Sequence, residues 1–209
     1  MRVLRRLWFP VAAVLVLAGC RDATAPLDRP AALFVEPAPV GPHFLRQAPN
    51  APPLETYQVS FWAVDGVPAS VTVNYQPALG ETVGQPFLRF GIPKNALGTT
   101  PDGRRVRHGD SVLVTLTIDP VNFSVDFQPS GMEFSRRVPA ELTFWYQNAD
   151  PDFNGDGVVD AADQECAAYI ALWGRSEGSP WVMLPSNTDA TLPSVSTILR
   201  HFSEYAVSW

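Results

Sequence analysis

Residues 57–75 have the sequence YQVSFWAVDGVPASVTVNY, in which apolar and polar side chains alternate on both sides of a short turn. A period of two places every second side chain on the same face of a β-strand. The pair Asp65-Gly66 between the two runs favours a tight turn with positive φ. The stretch therefore predicts a β-hairpin.

The remainder of the chain continues this pattern of short alternating runs. Turn residues separate the runs, which are 87–92, 112–118, 123–127, 142–146, 181–184, 195–199 and 205–209. Many short strands with Gly and Pro between them are typical of two packed antiparallel sheets. The predicted fold class is mainly β, an antiparallel β-sandwich with one inserted loop and a short helix.

Length and charge limit the possible classes of protein. The chain has 209 residues, with 15 Lys+Arg against 21 Asp+Glu, a formal net charge of −6. One domain of this size buries enough apolar surface to fold without disulfides or a structural metal. The charge argues against nucleic-acid binding, since phosphate neutralisation needs a dense set of Lys and Arg.

The N-terminal segment has the composition of an export signal. Arg2, Arg5 and Arg6 precede an eleven-residue apolar run at 7–17, which is too short to span a bilayer as a helix. The run ends in the residues LAGC at 17–20, which resemble the lipobox of bacterial lipoproteins.

This resemblance implies a location for the protein. Residues 1–19 would be the signal peptide, and Cys20 would carry the lipid that anchors the chain to a membrane of the bacterial cell envelope. Arg rather than Asp at position 21 favours the outer membrane, on its periplasmic or its surface side. The chain from Cys20 onward has 12 basic and 21 acidic side chains, a net charge of −9. Cys166 then has no partner for a disulfide and is predicted to be a small buried side chain.

A proline-rich linker is predicted next. Residues 26–53 contain eight prolines and little periodic hydrophobicity, so residues 20–54 are interpreted as a lipidated Cys followed by an extended spacer. Alternatively, Phe34, Phe44 and Leu45 dock on the domain. The β-sandwich domain is assigned to 55–209.

Three segments resemble one known family. FGIPKNAL at 90–97 is similar to a strand of the zonula-occludens/netrin-receptor domain. FQPSGMEF at 127–134 with PAEL at 139–142, and HFSEY at 201–205, are similar to later strands of the same domain. The resemblance implies a β-sandwich used for interactions with a partner.

One segment has the spacing of a calcium loop. In DFNGDGVVDAAD, residues 152–163, oxygen donors occupy positions 1, 3, 5, 9 and 12, with Gly at position 6. Six to eight oxygens must converge on Ca²⁺. The predicted ligands are the side chains of Asp152, Asn154 and Asp156, the carbonyl of Val158, Asp160 through water, and Asp163.

A helix is predicted after this loop. Apolar side chains at 166, 169, 170 and 173 share one helical face, so 161–173 is predicted to be helical within an insert at 150–174. The loop-helix arrangement with Asp at position 12 resembles one dockerin repeat, and the shorter Asp also allows Mg²⁺. The alternative is a solvated acidic loop without an ion.

Two further groups of residues carry weaker signals. His201-Phe202-Ser203 resembles the cleavage site of self-processing domains, in which Ser203 would attack the preceding carbonyl with help from His201. Alternatively, both residues flank a core phenylalanine. Arg104, Arg105, Arg107 and His108 form a basic loop that either contacts anionic glycans or lipid headgroups or is simply solvated.

We therefore expect a lipid-anchored envelope protein whose calcium-binding β-sandwich acts as a binding or scaffolding module without enzymatic activity. The partner would be an unidentified protein or glycan, and no nucleic acid. The alternatives are self-processing between Phe202 and Ser203, or a glycan- or protein-binding surface module.

Overall fold

The computed structural model describes residues 41–189 and 191–209. The predictions for the signal peptide, Cys20 and residues 20–40 lie outside these residues. The described chain contains thirteen strands and one helix. In order they are β1 (Gln58–Val64), β2 (Ala69–Asn74), β3 (Pro86–Ile92), β4 (Leu97–Thr99), β5 (Ser111–Asp119), β6 (Ser124–Gln128), β7 (Glu133–Phe134), β8 (Ala140–Trp145), α1 (Ala161–Ala167), β9 (Ala171–Arg175), β10 (Val182–Met183), β11 (Asn187–Asp189), β12 (Ser194–Leu199) and β13 (Glu204–Ser208).

The strands form an antiparallel β-sandwich, as predicted. One sheet has the order β1-β5-β6-β13-β9-β10 and the other has the order β11-β12-β8-β3-β2. A small ribbon of β4 and β7 forms the third sheet. In β5 the buried side chains alternate with exposed ones along nearly the whole strand, as a period of two requires.

Aromatic side chains fill the space between the sheets. Phe90 of β3 lies 4.6 Å from Phe127 of β6, centroid to centroid, so the two sheets are in direct contact. Phe127 in turn stacks on Phe202 at 5.3 Å, with the ring planes 9° apart. Both rings of that pair are fully buried. A second aromatic group surrounds Phe87, with Tyr75 and Phe144 edge-on to it.

The predicted hairpin at 57–75 is wrong in its pairing, although both strands exist. β1 pairs with β5, with Val64 opposite Ser111, whereas β2 pairs with β3 in the other sheet. The turn itself forms, with Gly66 at φ +95°. Pro68 has no N–H to donate to a ladder directly after that turn, so the chain crosses to the facing sheet instead.

The predicted boundary at residue 55 is also too late. Leu45 and Leu54 belong to the hydrophobic core, with Leu45 only 2 % exposed. The backbone of Leu45 donates to the carbonyl of Val207, and Phe44 forms a bridge with Ser208. The alternative in which this segment docks on the domain is correct for Leu45, while Phe34 lies outside the described residues.

The predicted helix at 161–173 is too long. α1 ends at Ala167, and residues 171–175 form β9 beside β13. Tyr169 is 73 % exposed, while Ile170 and Leu172 are buried. An apolar run this short fits a strand as well as a helix. The backbone N–H and C=O groups of β13 pair with residues 171–175, so this segment forms a strand rather than a helix. The insert after β8 therefore ends before residue 171.

Within residues 41–189 and 191–209, no helix has the length and apolar character required to cross a bilayer.

Candidate metal centre

The loop at 152–163 connects β8 to α1 and folds around the carboxylate of Asp152. Its Oδ1 accepts hydrogen bonds from the backbone N–H of Gly155 at 2.9 Å and of Asp156 at 3.1 Å. Its Oδ2 accepts from the N–H of Gly157 at 2.8 Å. A single side chain therefore holds three consecutive residues of the loop.

Two further side chains continue this arrangement. Asn154 Oδ1 accepts from the N–H of Asp156 at 2.9 Å, and Asp156 Oδ1 accepts from the N–H of Val158 at 2.8 Å. Asn154 Nδ2 donates to Asp156 Oδ2 at 3.0 Å. Positions 3 and 5 of the loop are therefore adjacent to each other, as the spacing predicts.

Glycine at position 6 makes the sharp turn possible. Gly157 has φ +88°, a left-handed conformation that residues with a Cβ adopt only with strain. The chain reverses here and returns toward Asp160 and α1.

The far end of the loop closes through a capping box. Asp160 Oδ1 accepts from the N–H of Ala162 at 2.8 Å, and Asp163 Oδ2 accepts from the N–H of Asp160 at 2.8 Å. These reciprocal bonds satisfy N–H groups that the first turn of a helix leaves free.

Asp163 also reaches back across the loop. Its Oδ1 accepts from the N–H of Asn154 at 3.1 Å, so the carboxylates at positions 1 and 12 both bind the intervening backbone. The N–H groups of Asp160 and then of Asn154 hold the pKa of the Asp163 carboxyl below its usual range. Asp163 is buried, with 3 % of its surface exposed, and it is charged at neutral pH.

The chemistry of these donors suits a hard dication. Residues 150–165 contain six acids and no base. Both ion pairs of the described chain, Arg104–Asp110 and Arg175–Glu204, lie elsewhere. Carboxylate, amide and carbonyl oxygens are the ligands that Ca²⁺ and Mg²⁺ prefer.

The described residues do not contain three or more His, Cys, Asp or Glu side chains that converge as a metal-holding group. The loop would need Asn154, the carbonyl of Val158 and water to complete a coordination sphere. All six residues predicted as ligands lie on this one loop, and each carboxylate now accepts hydrogen bonds from the loop's own backbone.

Sequence reasoning missed two contacts that support the loop. Asp150 Oδ1 accepts from the N–H of Asp152 at 3.2 Å, an Asx-type contact that the two-residue spacing could have indicated. Trp209 Nε1 donates to the carbonyl of Phe153 at 2.9 Å, and no local sequence pattern predicts a contact over 56 residues.

The segment at 42–46 lies against the same loop. His43 stacks on Trp209 at 4.6 Å, and the N–H of Asp150 donates to the carbonyl of Arg46 at 2.7 Å. A cleft of about 540 Å³ lies between this segment and residues 152–155. The loop therefore lies beside the segment through which the described chain enters the domain.

The two residues of the predicted self-processing site have different hydrogen-bond partners. The hydroxyl of Ser203 donates to the carbonyl of Arg175 on β9, and Ser203 is buried. The Nδ1 atom of His201 lies 3.4 Å from the carbonyl oxygen of Phe202. The Ser203 hydroxyl is thus bonded to the neighbouring strand, and Phe202 is a core residue.

Two other side chains differ from expectation. Within the described residues Cys166 is a free thiol, and it is only partly buried, on α1. Burial, and then the charge of Asp163, raise the pKa of this thiol. Trp62 lies in a strand, where a tryptophan usually packs in the core, but it is 64 % exposed on the outer face of β1.

Comparison with protein-family models, with curated proteins and with solved structures finds no match to this chain.

Proposed function

We propose that the chain is a lipid-anchored protein of the bacterial cell envelope, and that its β-sandwich is a calcium-binding module for binding or scaffolding. The observation that carries the calcium proposal is the closure of one loop by Asp152 and Asp163. Their carboxylates accept five backbone N–H groups between them and bring the two ends of the loop together.

The anchoring part of the proposal rests on residues 1–20. The arginine-rich start, the short apolar run and the LAGC box support lipidation of Cys20. The resemblance of 90–97, 127–142 and 201–205 to the zonula-occludens/netrin-receptor domain supports a role in binding rather than catalysis. The loop's resemblance to a dockerin repeat supports the ion site alone.

The position of the loop suggests what the ion would do. The loop is bonded to Trp209, and Asp150 is bonded to Arg46. An ion bound only by the folded loop would therefore stabilise the sandwich where the spacer joins it. The acid cluster at 150–165 also leads us to expect that a bound cation stabilises the protein, since six carboxylates without a cation repel one another.

Calcium binding can be tested on residues 21–209 by native mass spectrometry and by thermal unfolding, each in CaCl₂ and in chelator. We expect one bound ion. At 100-fold excess over Kd we expect a stabilisation of about 2.7 kcal/mol, which corresponds to a rise in Tm of about 5–10 °C. Mg²⁺ in place of Ca²⁺ should give a smaller rise.

The matched variants are Asp152→Ala, which removes the loop's central acceptor, and Glu141→Gln, which removes one exposed acid from β8. Only Asp152→Ala should lose the ion. Equal melting curves in calcium and in chelator for the unsubstituted protein would contradict the proposal.

Lipidation can be tested separately in cells that express the full chain. We expect metabolic labelling with a fatty acid and recovery in the membrane fraction, and we expect Cys20→Ser to lose both. Labelling that persists in Cys20→Ser would contradict the anchor without affecting the calcium proposal.

A further inference from the structure

Basic side chains concentrate at one end of the sandwich. Val64 lies opposite Ser111, and Ala140 lies opposite Leu199, so the connections around these residues meet at the same end. Seven of the ten Lys and Arg residues in the described chain lie on these connections: Lys94, Arg104, Arg105, Arg107, Arg136, Arg137 and Arg200. The acidic loop lies at the opposite end, where Trp145 ends β8.

Four of these side chains line an open groove, which we call the arginine groove: Arg104, Arg105, Arg107 and Arg136. Its volume is about 1120 Å³. The groove also contains His108, with Asn95, Thr99 and Ser135 as neutral polar groups. Its acidic residues are Asp65, Asp110 and Glu133.

The loop that carries the arginines is held in place. Val106 is buried, and its N–H donates to the carbonyl of Gly98 at 2.8 Å. Arg105 and Arg107 flank this anchor and are exposed. The N–H of Arg107 donates to Asp110 Oδ2 at 3.0 Å. The side chains on this loop therefore extend from a fixed backbone.

Among the described residues, three of the four arginines in the groove are not paired with a carboxylate. Arg104 pairs with Asp110 at 3.4 Å. In the part of the chain that the structure describes, neither Arg105, Arg107 nor Arg136 has a carboxylate within 4 Å, although acids outnumber bases by 18 to 10 there. Guanidinium groups bind carboxylates and phosphates in bidentate geometry.

A buried acceptor lies beside these donors. Asp65 is 9 % exposed, and its Oδ1 is enclosed and accepts no hydrogen bond from the described residues. Its backbone is fixed, since its N–H donates to Asp110 and its carbonyl accepts from Gly109. A buried carboxylate oxygen without a donor is costly and is rare in folded proteins. A hydroxyl from a ligand in the groove is a donor of the kind that this carboxylate lacks.

We propose that the arginine groove binds an anionic saccharide. The acidic groups of the sugar bind Arg105, Arg107 and Arg136, and a sugar hydroxyl donates to Asp65. A saccharide carries both kinds of group in one molecule. This inference names the ligand class of the proposed binding module, and it does not depend on the calcium loop at the other end.

The groove lies at the end of the domain away from the segment through which the described chain enters it. That segment, 43–45, pairs with Val207 and Ser208 at the acidic end.

The test is calorimetric titration of residues 21–209 with tetragalacturonic acid in chelator, beside neutral cellotetraose, inorganic phosphate and anionic vesicles. We expect binding of the acidic tetrasaccharide that weakens as NaCl is raised. The double variant Arg105→Gln/Arg107→Gln should weaken it at least tenfold. The control Arg89→Gln, outside the groove, should leave it unchanged, with unchanged Tm in both variants.

Asp65→Asn separates a sugar site from general attraction of anions. Asn keeps one neutral acceptor oxygen but replaces the other with an NH₂ donor, so the charge-assisted bond to a sugar hydroxyl is lost and tetrasaccharide binding weakens. Loss of one negative charge alone would instead strengthen binding of any anion. Stronger binding in Asp65→Asn would overturn the proposal. Equal affinity for phosphate, binding of vesicles alone, or no binding of the tetrasaccharide would also overturn it. Asp152→Ala should lose calcium but retain the saccharide, so failure of either proposal is visible independently of the other.

Discussion

The indole Nε1 of Trp209 donates a hydrogen bond of 2.9 Å to the backbone carbonyl of Phe153, which is the second residue of the candidate metal loop. The backbone N–H of Trp209 donates to the carbonyl of His43, so one residue bonds both the insert and the leading segment. This bond couples the loop to the end of the sheet. Ion binding and folding of the sandwich should depend on each other through this contact.

Replacing Trp209 with Phe tests that coupling. Phe retains a ring that can stack on His43 but leaves the carbonyl of Phe153 without its donor, which costs on the order of 1 kcal/mol. We expect a lower Tm in chelator and a smaller rise in Tm when calcium is added. Trp62→Phe, on an exposed face, is the control and should change neither value. A normal response to calcium in Trp209→Phe would show that the loop acts alone.

Leu45→Ala tests the early start of the domain. The side chain is buried in the core, so truncation should reduce the free energy of unfolding by roughly 2–5 kcal/mol. Leu79→Ala, at a fully exposed position, should have almost no effect. Urea unfolding of the two variants measures the difference. Equal stability would restore the interpretation of residues 41–54 as a free spacer.

Two buried tyrosines should respond differently to loss of their hydroxyl groups. Tyr205 donates to the carbonyl of His201 at 2.6 Å, whereas the Tyr75 hydroxyl has no hydrogen-bond partner at normal distance within the described residues. We expect Tyr205→Phe to lower the free energy of unfolding by about 1 kcal/mol and Tyr75→Phe to leave it unchanged or raise it slightly. Guanidinium unfolding at pH 7 checks both values, and the reverse order would contradict the assignment.

The buried Tyr75 hydroxyl should also make the stability of the protein depend on pH in the alkaline range. Burial raises the pKa of its hydroxyl from 10 to about 12, so the folded state favours the neutral form. That contribution to stability is complete below pH 10, the pKa in the unfolded chain, and is lost as the pH rises toward 12. We expect the decrease in Tm between pH 10 and 12 to be smaller in Tyr75→Phe. Identical decreases in the two proteins would contradict this expectation.

Self-processing can be examined by intact mass. Because the Ser203 hydroxyl is bonded to the carbonyl of Arg175, we expect an unbroken chain and no released fragment of residues 203–209. Ser203→Ala should lower the Tm, since it removes the hydrogen bond of a buried hydroxyl to the carbonyl of Arg175. A cleaved fragment that disappears in Ser203→Ala would instead support the alternative.

Local patterns predicted the strands and failed at their pairing. The alternation in 112–118 identifies β5 because one face is buried and the other is wet. The same alternation in 57–75 identifies β1 and β2, but the pairing depends on which sheet offers a free edge, and that information lies more than forty residues away at Ser111. The alternation of apolar and polar residues does not indicate which distant strand a given strand pairs with.

The functional residues likewise include some that the sequence predicts and some that it does not. The acceptors at 152, 154, 156 and 163 follow from their spacing, because a loop of twelve residues positions its own donors. The buried Asp65 was identified only as a turn residue, since its enclosure depends on the loop at 104–110. Burial that another segment creates is visible only in three dimensions.

The placement of β13 affects the order in which the molecule can assemble. Residues 204–208 lie in the interior of the six-stranded sheet, between β6 and β9, and neither neighbour pairs with the other directly. A chain that is synthesised from its N-terminus therefore lacks the strand that joins the two halves of this sheet until Glu204 has been made. The six-stranded sheet can close only after synthesis has passed that residue.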